Sequence, residues 1–556
     1  MDQTNRNRVD RKTGSNVGQG DMNIRRFRLA AALVLLILAI GAIVFARAQN
    51  VWVDESTQLS GMTLTPGPLM GWLSGTLTMP FGVPADRMPP LSYLLDMPVW
   101  RLSGGSVLAM RLYHAVLVGG GILLLMLAMA RRFGPRSALL AGLFLVLSPK
   151  LVDIAVEIRA YPLFLAITCA QVALLVRGEV ATRPRRLALF LLLGLASAYT
   201  HFFGVVATSA LFVAAFIDAP TIRTAARALA GYVLFLILCI GLLPFISGAA
   251  TITNSAAPPP APGLGAIATF IGQTLGSAVL LVNPVIAGLF FAGTGLLLLS
   301  GAIGLARLFA RHGLDLRHEP AAGMALALLA GFVVVVAAAY VLSGFSTLSP
   351  RYNIWMMPPL AVLLALCADG LLTPDGKGLR LVRLGALALA GIGAVWGQAW
   401  FLSRADLFIH GPSRALEALL EQAGPNSAIL HATEHWGWAG FPLSWAHGRA
   451  LDQWLLSTDG RSATRIRFGQ PLGKPEPLSA LAPYQGVLVN RVDVKTYRDL
   501  RQVESAALAP APAAARPLAP QLAAAGWQGS EILVKPGYYA LTAQLYRKRP
   551  APNGAP

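Results

Sequence analysis

Long apolar runs separated by short polar segments dominate residues 27–402 of the 556-residue chain. A helix needs about 20 predominantly apolar residues to cross a bilayer. The runs predict about eleven membrane-spanning helices, some shorter than a straight crossing requires, at 27–46, 107–130, 137–150, 160–176, 185–200, 202–217, 228–247, 284–306, 322–343, 353–372 and 380–402. The first run is too long for a typical signal-peptide core, so we expect it to be retained as a helix.

The composition supports a membrane class and argues against other classes. Hydrophobic residues make up 55% of the chain and charged residues 13%, against roughly 25% charged residues in a soluble domain. The net charge is +19, but no RNA- or DNA-binding motif accompanies the basic residues, so we expect no nucleic-acid partner. Three cysteines lie inside apolar runs and predict neither a disulfide framework nor a metal cluster: Cys169, Cys239 and Cys367.

Basic loops alternate with loops poor in charge, as the positive-inside rule requires for a cytoplasmic amino terminus. Eleven crossings would then place the carboxyl terminus outside. The loops assigned to the cytoplasm carry the basic residues Arg25, Arg26, Arg28, Arg131, Arg132, Arg136, Arg177, Arg183, Arg185, Arg186, Arg223, Arg227, Arg307, Arg311, Arg317, Lys377, Arg380 and Arg383.

The polarity pattern divides the chain into three parts. Residues 1–24 are polar and lack apolar periodicity, which predicts a disordered cytoplasmic tail. Residues 25–402 form the transmembrane part, with a long first periplasmic loop at 47–106. Residues 403–556 have ordinary polarity and predict a periplasmic α/β domain, with a helix at 413–423 and strands at 428–431, 486–489 and 538–546.

An acidic pair, Asp54 and Glu55, follows the first predicted span in the sequence Val-Trp-Val-Asp-Glu. A carboxylate at a membrane surface can act as a general base towards a hydroxyl group. The alternative is that Asp54 caps the amino terminus of a short interfacial helix.

A proline pair late in the same loop, in Asp-Arg-Met-Pro-Pro-Leu-Ser-Tyr, predicts a rigid turn before the next helix. Arg87 could approach a phosphate there, and Tyr93 could line a sugar or lipid groove. The alternative is an interfacial turn with an aromatic anchor.

Glu157, Arg159 and Tyr161 stand in the short outer loop after the third predicted span. Charged groups at membrane depth are costly, so a functional role is expected. The planar guanidinium of Arg159 suits a phosphate, to which it can donate two hydrogen bonds. The alternative is an ion pair of Glu157 with Arg159 that holds two helices together.

Two further positions fall on outer helix ends. His201 could bind a metal, hydrogen-bond a phosphate or cap a helix. The metal option is weakened because a lone histidine does not make a metal site. Arg351, followed by Tyr352, could be a second phosphate contact or an anchor that extends to the interface.

In the carboxyl-terminal segment, His431 and His435 have the four-residue spacing of a helical metal-binding pair but lack the His-Glu-x-x-His pattern, so we expect a structural or acceptor-contact role.

Residues 25–400 resemble the GT-C membrane glycosyltransferases, specifically bacterial relatives of the protein O-mannosyltransferases and lipid A aminoarabinose transferases. The resemblance rests on four motifs in this order: Asp54-Glu55, Pro89-Pro90-Leu91-x-Tyr93, Glu157-x-Arg159-x-Tyr161 and Arg351-Tyr352. It implies a GT-C-like fold in the bacterial inner membrane and a sugar donor on polyprenyl phosphate, expected to be undecaprenyl phosphate. The implied partners are that donor, a glycan, lipid or protein acceptor, and membrane lipids.

The resemblance also implies roles for individual residues. Asp54 is the expected catalytic base, with Glu55 beside it. The expected donor-phosphate contacts are Arg159, Arg351 and Arg87. The expected pocket residues are Glu157, Tyr161, His201, Tyr93 and Tyr352. The resemblance implies a hexosyl- or pentosyltransferase. One base and one displacement predict inversion at the anomeric carbon; no cofactor is required, and a divalent metal is compatible with this chemistry.

Two rival classes share the many apolar runs. A transporter or lipid flippase would place ionisable groups near the middle of the membrane, often on broken helices, whereas here they stand at outer helix ends. A non-catalytic assembly factor for an envelope polysaccharide would use the outer domain as a partner surface. Sugar release from a labelled lipid donor would separate these classes from a glycosyltransferase.

Overall fold

The computed structural model is mostly helical up to residue 403 and ends in a domain built on a β-sheet. It describes residues 6–77, 88–178, 180–247, 283–312, 319–343, 351–372, 377–411, 413–433, 437–447, 451–466, 473–494, 518–535 and 539–548. Arg87 and His435 therefore lie outside the described residues.

Every predicted apolar run coincides with a helix or with two consecutive helices. The helices are α1 (Arg6–Ala48), α2 (Val53–Met62), α3 (Pro66–Leu73), α4 (Leu91–Leu102), α5 (Val107–Phe133), α6 (Pro135–Val146), α7 (Pro149–Ala155), α8 (Ala160–Val176), α9 (Pro184–Thr200), α10 (Phe203–Ile217), α11 (Ile222–Cys239), α12 (Pro284–His312), α13 (Pro320–Ser343), α14 (Met357–Asp369) and α15 (Lys377–Ser403).

Five helices are long and apolar enough to cross a membrane within the part of the chain that the structure describes: Ile24–Ala48, Val107–Phe133, Ile222–Ser247, Pro284–Arg311 and Gly378–Ser403. The prediction of eleven crossings stays a prediction. Large apolar side chains are exposed on α1, α11 and α15, as surfaces that face lipid require: Leu36, Ile40, Val233, Ile237, Leu381 and Ile392.

Two boundaries differ from the sequence prediction. The third predicted span is the helix pair α6 and α7, bent by 72°, because Pro149 follows Ser148 and starts a new helix. Helix α1 begins at Arg6 and so includes most of the segment predicted to be a disordered tail. No proline interrupts that segment, so the helix of the first span continues through it.

The arginine-bearing ends of α5, α8 and α9 gather on one side of the bundle, called here the basic end. Arg132 Nη1 donates to the Val176 backbone oxygen at 2.9 Å, and Arg132 Nη2 lies 3.7 Å from Asp218 Oδ1. Arg186 Nη1 donates to the Gly178 oxygen at 2.8 Å. Loops whose charges predict a cytoplasmic location therefore lie together at one end.

The opposite side of the bundle is called here the Arg111 end. Arg111 lies near the start of α5, and Arg132 lies in its last turn. Because an α-helix rises about 1.5 Å per residue, the two residues are roughly 30 Å apart along the helix axis. That length is close to the thickness of a hydrocarbon core, about 30 Å. The two ends of α5 can therefore lie at opposite faces of a bilayer.

Helices α2, α3 and α4 lie within the long loop predicted at 47–106, at the Arg111 end. Gly61 on α2 lies so close to the rings of Trp72 and Tyr93 that a Cβ there would stand 2.8 and 2.4 Å from them. Asp54 lies in the first turn of α2, whose N-cap residue is Trp52. The alternative that Asp54 caps a helix is therefore wrong.

The carboxyl-terminal domain has the α/β character that the sequence predicts. Its elements are α16 (Ser413–Ala423), β1 (Ser427–His431), α17 (Gly437–His447), β2 (Asp452–Leu456), β3 (Ser462–Ile466), β4 (Glu476–Pro477), β5 (Gly486–Val494), α18 (Pro520–Ala524), β6 (Trp527–Gly529), β7 (Leu533–Lys535) and β8 (Tyr539–Lys548).

The strand order of the sheet is β4-β3-β2-β1-β5-β8-β6, with β7 paired to β8. Strand β1 runs parallel to both β2 and β5. Leu416 of α16 and Leu443 of α17 pack with Ile429 on one face, while Leu522 of α18 packs with Leu430 on the other. Helix α17 also packs against α2, which places this domain beside the helix that carries Asp54.

Candidate active site

Arg351 is the centre of a charged cluster at the Arg111 end. Its Nη2 lies 3.4 Å from Asp54 Oδ2 and donates a hydrogen bond to Glu157 Oε1. Its guanidinium carbon stands 4.4 Å from the ring centre of Trp52 and 5.0 Å from that of Tyr161. Cation–π attraction and two carboxylates thus hold one guanidinium between segments far apart in the sequence.

The carboxylates of this cluster differ in their access to solvent. The side chain of Asp54 is 37% exposed, that of Glu157 5% and that of Glu55 1%. Arg159 is buried and donates from Nη1 to the Asp54 backbone oxygen at 3.2 Å. Asp54 is therefore the carboxylate of the three that a substrate can reach, and Arg159 holds its backbone in place.

Both carboxylate oxygens of Glu55 are bound by groups of the protein. Its Oε2 lies 2.7 Å from Arg111 Nη2, and its Oε1 accepts the Ile158 backbone N–H at 2.9 Å. Arg111 also donates to the Asn50 oxygen at 2.9 Å and to the Val156 oxygen at 3.2 Å. Glu55 was predicted to be catalytic beside Asp54, but its burial and contacts make it a positioning residue that joins two loops.

A second buried pair lies one helical turn further along α5. His114 Nε2 is 3.0 Å from Asp96 Oδ1, and His114 Nδ1 is 2.7 Å from the Glu157 backbone oxygen. Gln58 Nε2 donates to Asp96 Oδ2 at 3.2 Å. Because a carbonyl oxygen only accepts, Nδ1 carries a proton, and α5 fixes the backbone of the loop that presents Glu157.

Sequence reasoning missed Arg111 and His114, although a signal was present. Both are polar side chains at the start of an otherwise apolar run, spaced so that they share one face of a helix. Ionisable residues inside a predicted span are expected to have partners or a function. Their partners come from other segments, which the spacing along α5 does not identify.

The aromatic pocket residues predicted from the sequence lie beside Arg351. The ring centre of His201 is 5.0 Å from that of Tyr161 and 5.1 Å from that of Phe164, on which it stacks. Tyr352 stacks on Phe203 at 5.3 Å and is 37% exposed. Tyr161, His201, Tyr352 and the neighbouring Glu157 are therefore brought together as one wall.

Tyr93 is the predicted pocket residue that the structure places elsewhere. It is fully buried and packs edge-on against Trp72, with ring centres 6.0 Å apart. Its ring also packs on Gly61. Tyr93 is a core residue of the folded first loop, because the loop forms helices that bury its aromatic side chains against one another.

The segment that leads into the carboxyl-terminal domain is attached to the same end of the bundle. His410 Nε2 lies 2.8 Å from Asp153 Oδ1, and the His410 backbone N–H donates to Gln49 Oε1 at 3.0 Å. Gln49 Nε2 donates in turn to the Phe408 oxygen at 3.0 Å. The His410 ring stands edge-on to Trp52 at 5.1 Å, so this segment supports one aromatic wall of the Arg351 cluster.

Burial and neighbouring charge act in opposite directions on the titrating groups of the cluster. Burial raises the pKa of Glu157, although Arg351 and His410 oppose the rise. Burial lowers the pKa of His410, but the attraction and hydrogen bond of Asp153 outweigh it and leave that pKa raised. Among the described residues, no group of three or more His, Cys, Asp or Glu side chains is arranged to hold a metal ion.

Comparison with known proteins finds structural likeness only. No protein-family model and no curated protein matches the chain. The chain is similar to ArnT from Cupriavidus metallidurans in the apo state, with 14% identity, a TM-score of 0.47, and coverage of 93% of this chain and 98% of that one. The same protein bound to undecaprenyl phosphate gives 14% identity, a TM-score of 0.45, and 93% and 97% coverage.

The archaeal oligosaccharyltransferase AglB from Archaeoglobus fulgidus, in complex with an inhibitory peptide and a dolichol-phosphate, is a more distant likeness. It shares 12% identity at a TM-score of 0.38, over 74% of this chain and 63% of that one. ArnT is a lipid A aminoarabinose transferase, and both proteins are GT-C superfamily members, the group that the motifs resemble. Identities and TM-scores this low assign no role to any residue of this chain.

The first prediction concerns Arg111. Replacing Arg111→Met leaves the buried charge of Glu55 without its guanidinium, which costs about 3–5 kcal/mol in comparable buried pairs. We expect a large drop in the thermal unfolding midpoint of the purified protein in detergent. The matched control is Arg136→Met, which removes a solvent-exposed arginine (62% exposed) from its pair with Asp369 and costs about 0–1 kcal/mol. Equal midpoints for the two variants would contradict the positioning role of Arg111.

The second prediction concerns His410 and pH. Since its folded pKa is raised above the unfolded value of about 6.5, its stabilising contribution is complete below about pH 6.5 and is lost as pH rises through the folded pKa. The unfolding midpoint of the native protein should therefore exceed that of His410→Gln most at pH 6, with the difference shrinking towards pH 9. A difference independent of pH would show that the contact with Asp153 does not involve a charged imidazole.

Proposed function

We propose that the protein is a glycosyltransferase that moves a sugar from a polyprenyl-phosphate donor to an acceptor hydroxyl. The reaction takes place at the Arg111 end, which we assign to the periplasmic face of the bacterial inner membrane because the basic loops lie at the opposite end. Residues 25–402 form the catalytic membrane domain behind a cytoplasmic segment at 1–24, and residues 403–556 form a periplasmic domain beside α2.

The observation that carries the proposal is the meeting of Asp54 with Arg351 in an aromatic-walled, partly exposed cluster. The two charged atoms are 3.4 Å apart, longer than the roughly 2.7–2.9 Å of a strong charge-assisted hydrogen bond. Such a contact can be exchanged for a phosphate oxygen with little loss. A base and a phosphate-binding cation therefore stand within one substrate's length of each other.

Asp54 is the general base of the proposed reaction. Its carboxylate accepts the proton of the acceptor hydroxyl as that oxygen attacks the anomeric carbon of the sugar. A bond forms between the acceptor oxygen and the anomeric carbon, and the bond from that carbon to the phosphate oxygen breaks. One displacement on the face opposite the leaving group inverts the configuration, and the polyprenyl phosphate leaves with the electron pair.

Arg351 and Arg159 serve the leaving group. The phosphate gains negative charge as the bond to the sugar breaks, and preorganised cations stabilise charge that develops in the transition state. Arg351, 26% exposed, contacts the phosphate, while the buried Arg159 adds positive charge from behind and holds Asp54. Glu157 keeps Arg351 in place, and Glu55 fixes the loop that carries Asp54 and is not itself a catalytic residue.

The aromatic rings suit a sugar bound to a lipid carrier. Tyr352 follows Arg351 in the chain and is 37% exposed, and an apolar ring face packs well on the C–H surface of a sugar. ArnT has been solved with undecaprenyl phosphate bound, which makes undecaprenyl phosphate the first carrier to test. No step of this reaction needs a metal, and a divalent ion is compatible with it.

The decisive variant is Asp54→Asn. Removing a general base lowers turnover by about 10²–10⁴-fold, so release of undecaprenyl phosphate from sugar-linked donors should nearly cease, as followed by mass spectrometry of the lipid. The assay uses a panel of undecaprenyl-phosphate sugars with lipid A, lipid and peptide acceptors, because released carrier is the common product. Asp406→Asn is the matched control, since Asp406 is an exposed carboxylate in the short 3-10 helix Ala405–Phe408, outside the Arg351 cluster.

Three results would contradict the proposal. Full turnover by Asp54→Asn removes Asp54 from the role of base. Movement of a labelled lipid across liposomes by the native protein, without release of carrier, indicates a flippase. Binding of envelope glycan with neither activity indicates a non-catalytic assembly factor.

A further inference from the structure

His201 is held in a fixed orientation between α9 and α10. Its backbone oxygen accepts the Gly204 N–H at 2.7 Å, and a Cβ on Gly204 would stand 2.2 Å from the Ser197 oxygen, so the two helices meet closely here. The ring Nδ1 accepts the Phe203 backbone N–H at 3.1 Å. A ring nitrogen that accepts carries no proton, so the single proton of the neutral imidazole is on Nε2.

The Nε2 atom is buried and, among the described residues, has no hydrogen-bond partner. The residue is 2% exposed. The ring is surrounded by the aromatic rings of Tyr161, Phe164 and Phe203, and none of these side chains accepts a hydrogen bond from this N–H. A buried donor left without an acceptor destabilises the protein, and a bound ligand that supplies an acceptor oxygen removes that cost.

The charges near the ring determine what kind of ligand fits. Burial, then the positive charges of Arg159 and Arg351, lower the pKa of His201 to about 3. The imidazole is therefore a neutral donor at ordinary pH. The Tyr161 ring, 5.0 Å from both the His201 ring centre and the Arg351 guanidinium, connects the two groups. A neutral donor beside two cations favours an oxygen-rich, negatively charged group.

We propose that His201 Nε2 donates a hydrogen bond to an acceptor oxygen of the donor's sugar-phosphate head group. This inference rests on the proposed function. It makes His201 a specificity-determining residue, a second hydrogen-bond donor to the head group in addition to Arg351. A protonated amine of a donor sugar placed at His201 would meet the positive charges of Arg159 and Arg351, so these charges disfavour that arrangement.

Two substitutions separate the proposed donor from the structural role of the ring. In His201→Asn, the amide oxygen can still accept the Phe203 N–H, but no donor reaches the position of Nε2. In His201→Gln, the longer side chain brings an amide N–H to about that position. The asparagine variant therefore tests the contact, and the glutamine variant tests its rescue.

The experiment measures equilibrium binding of undecaprenyl phosphate and of one undecaprenyl-phosphate sugar to the full-length protein in detergent. Loss of one hydrogen bond to a charged group, about 1.5–3 kcal/mol, should weaken binding by His201→Asn roughly tenfold or more. His201→Gln should recover most of that affinity. Thermal unfolding midpoints close to native for both variants confirm that the fold is retained.

The two probes locate the contact. Weaker binding of both by His201→Asn places the hydrogen bond on the phosphate, and weaker binding of the sugar-linked probe alone places it on a sugar oxygen. Native affinity of His201→Asn for both probes overturns this inference while leaving the proposed function intact. If the native protein binds neither probe, the proposed donor class is wrong and the inference is overturned with it.

Discussion

One guanidinium group organises the candidate active site. Arg351 bonds to Glu157, lies against Asp54 and packs on the rings of Trp52 and Tyr161. A carboxylate as buried as Glu157 needs a close cationic partner, because an unpaired charge in such a place is strongly destabilising. The first outer loop, the loop before α8 and the chain before α14 must therefore converge wherever Arg351 lies.

That convergence is supported by contacts with side chains of α5. Arg111 joins the backbone on both sides of the site through Asn50 and Val156, and His114 holds the Glu157 backbone. A site is most accurate when such supporting contacts lock its side chains on rigid elements. The pairing of His410 with Asp153 extends this support to the segment that leads into the carboxyl-terminal domain. This segment therefore connects the carboxyl-terminal domain to the aromatic wall of the site.

The helices were largely predictable from the sequence because lipid and protein core both select apolar side chains. Helix α8 has the predicted bounds 160–176, and α16 the predicted bounds 413–423. The side of the bundle on which the candidate residues lie was also predictable from the alternation of basic loops. The sequence did not predict which of these residues are buried, since the burial of Glu55 and Tyr93 depends on how the first loop folds against α5 and onto itself. The contact of Asp54 with Arg351 joins segments almost 300 residues apart, and no local pattern encodes such a pairing.

The most direct test of the account is an experimental structure of the protein with undecaprenyl phosphate bound, determined by cryo-electron microscopy in lipid nanodiscs. The account predicts density for the phosphate within about 3 Å of the Arg351 guanidinium, on the side of the cluster that faces His201, with the Asp54 carboxylate opening towards the position of the sugar. A phosphate bound at the basic end, or at the Arg111 end but out of reach of Arg351, would contradict it.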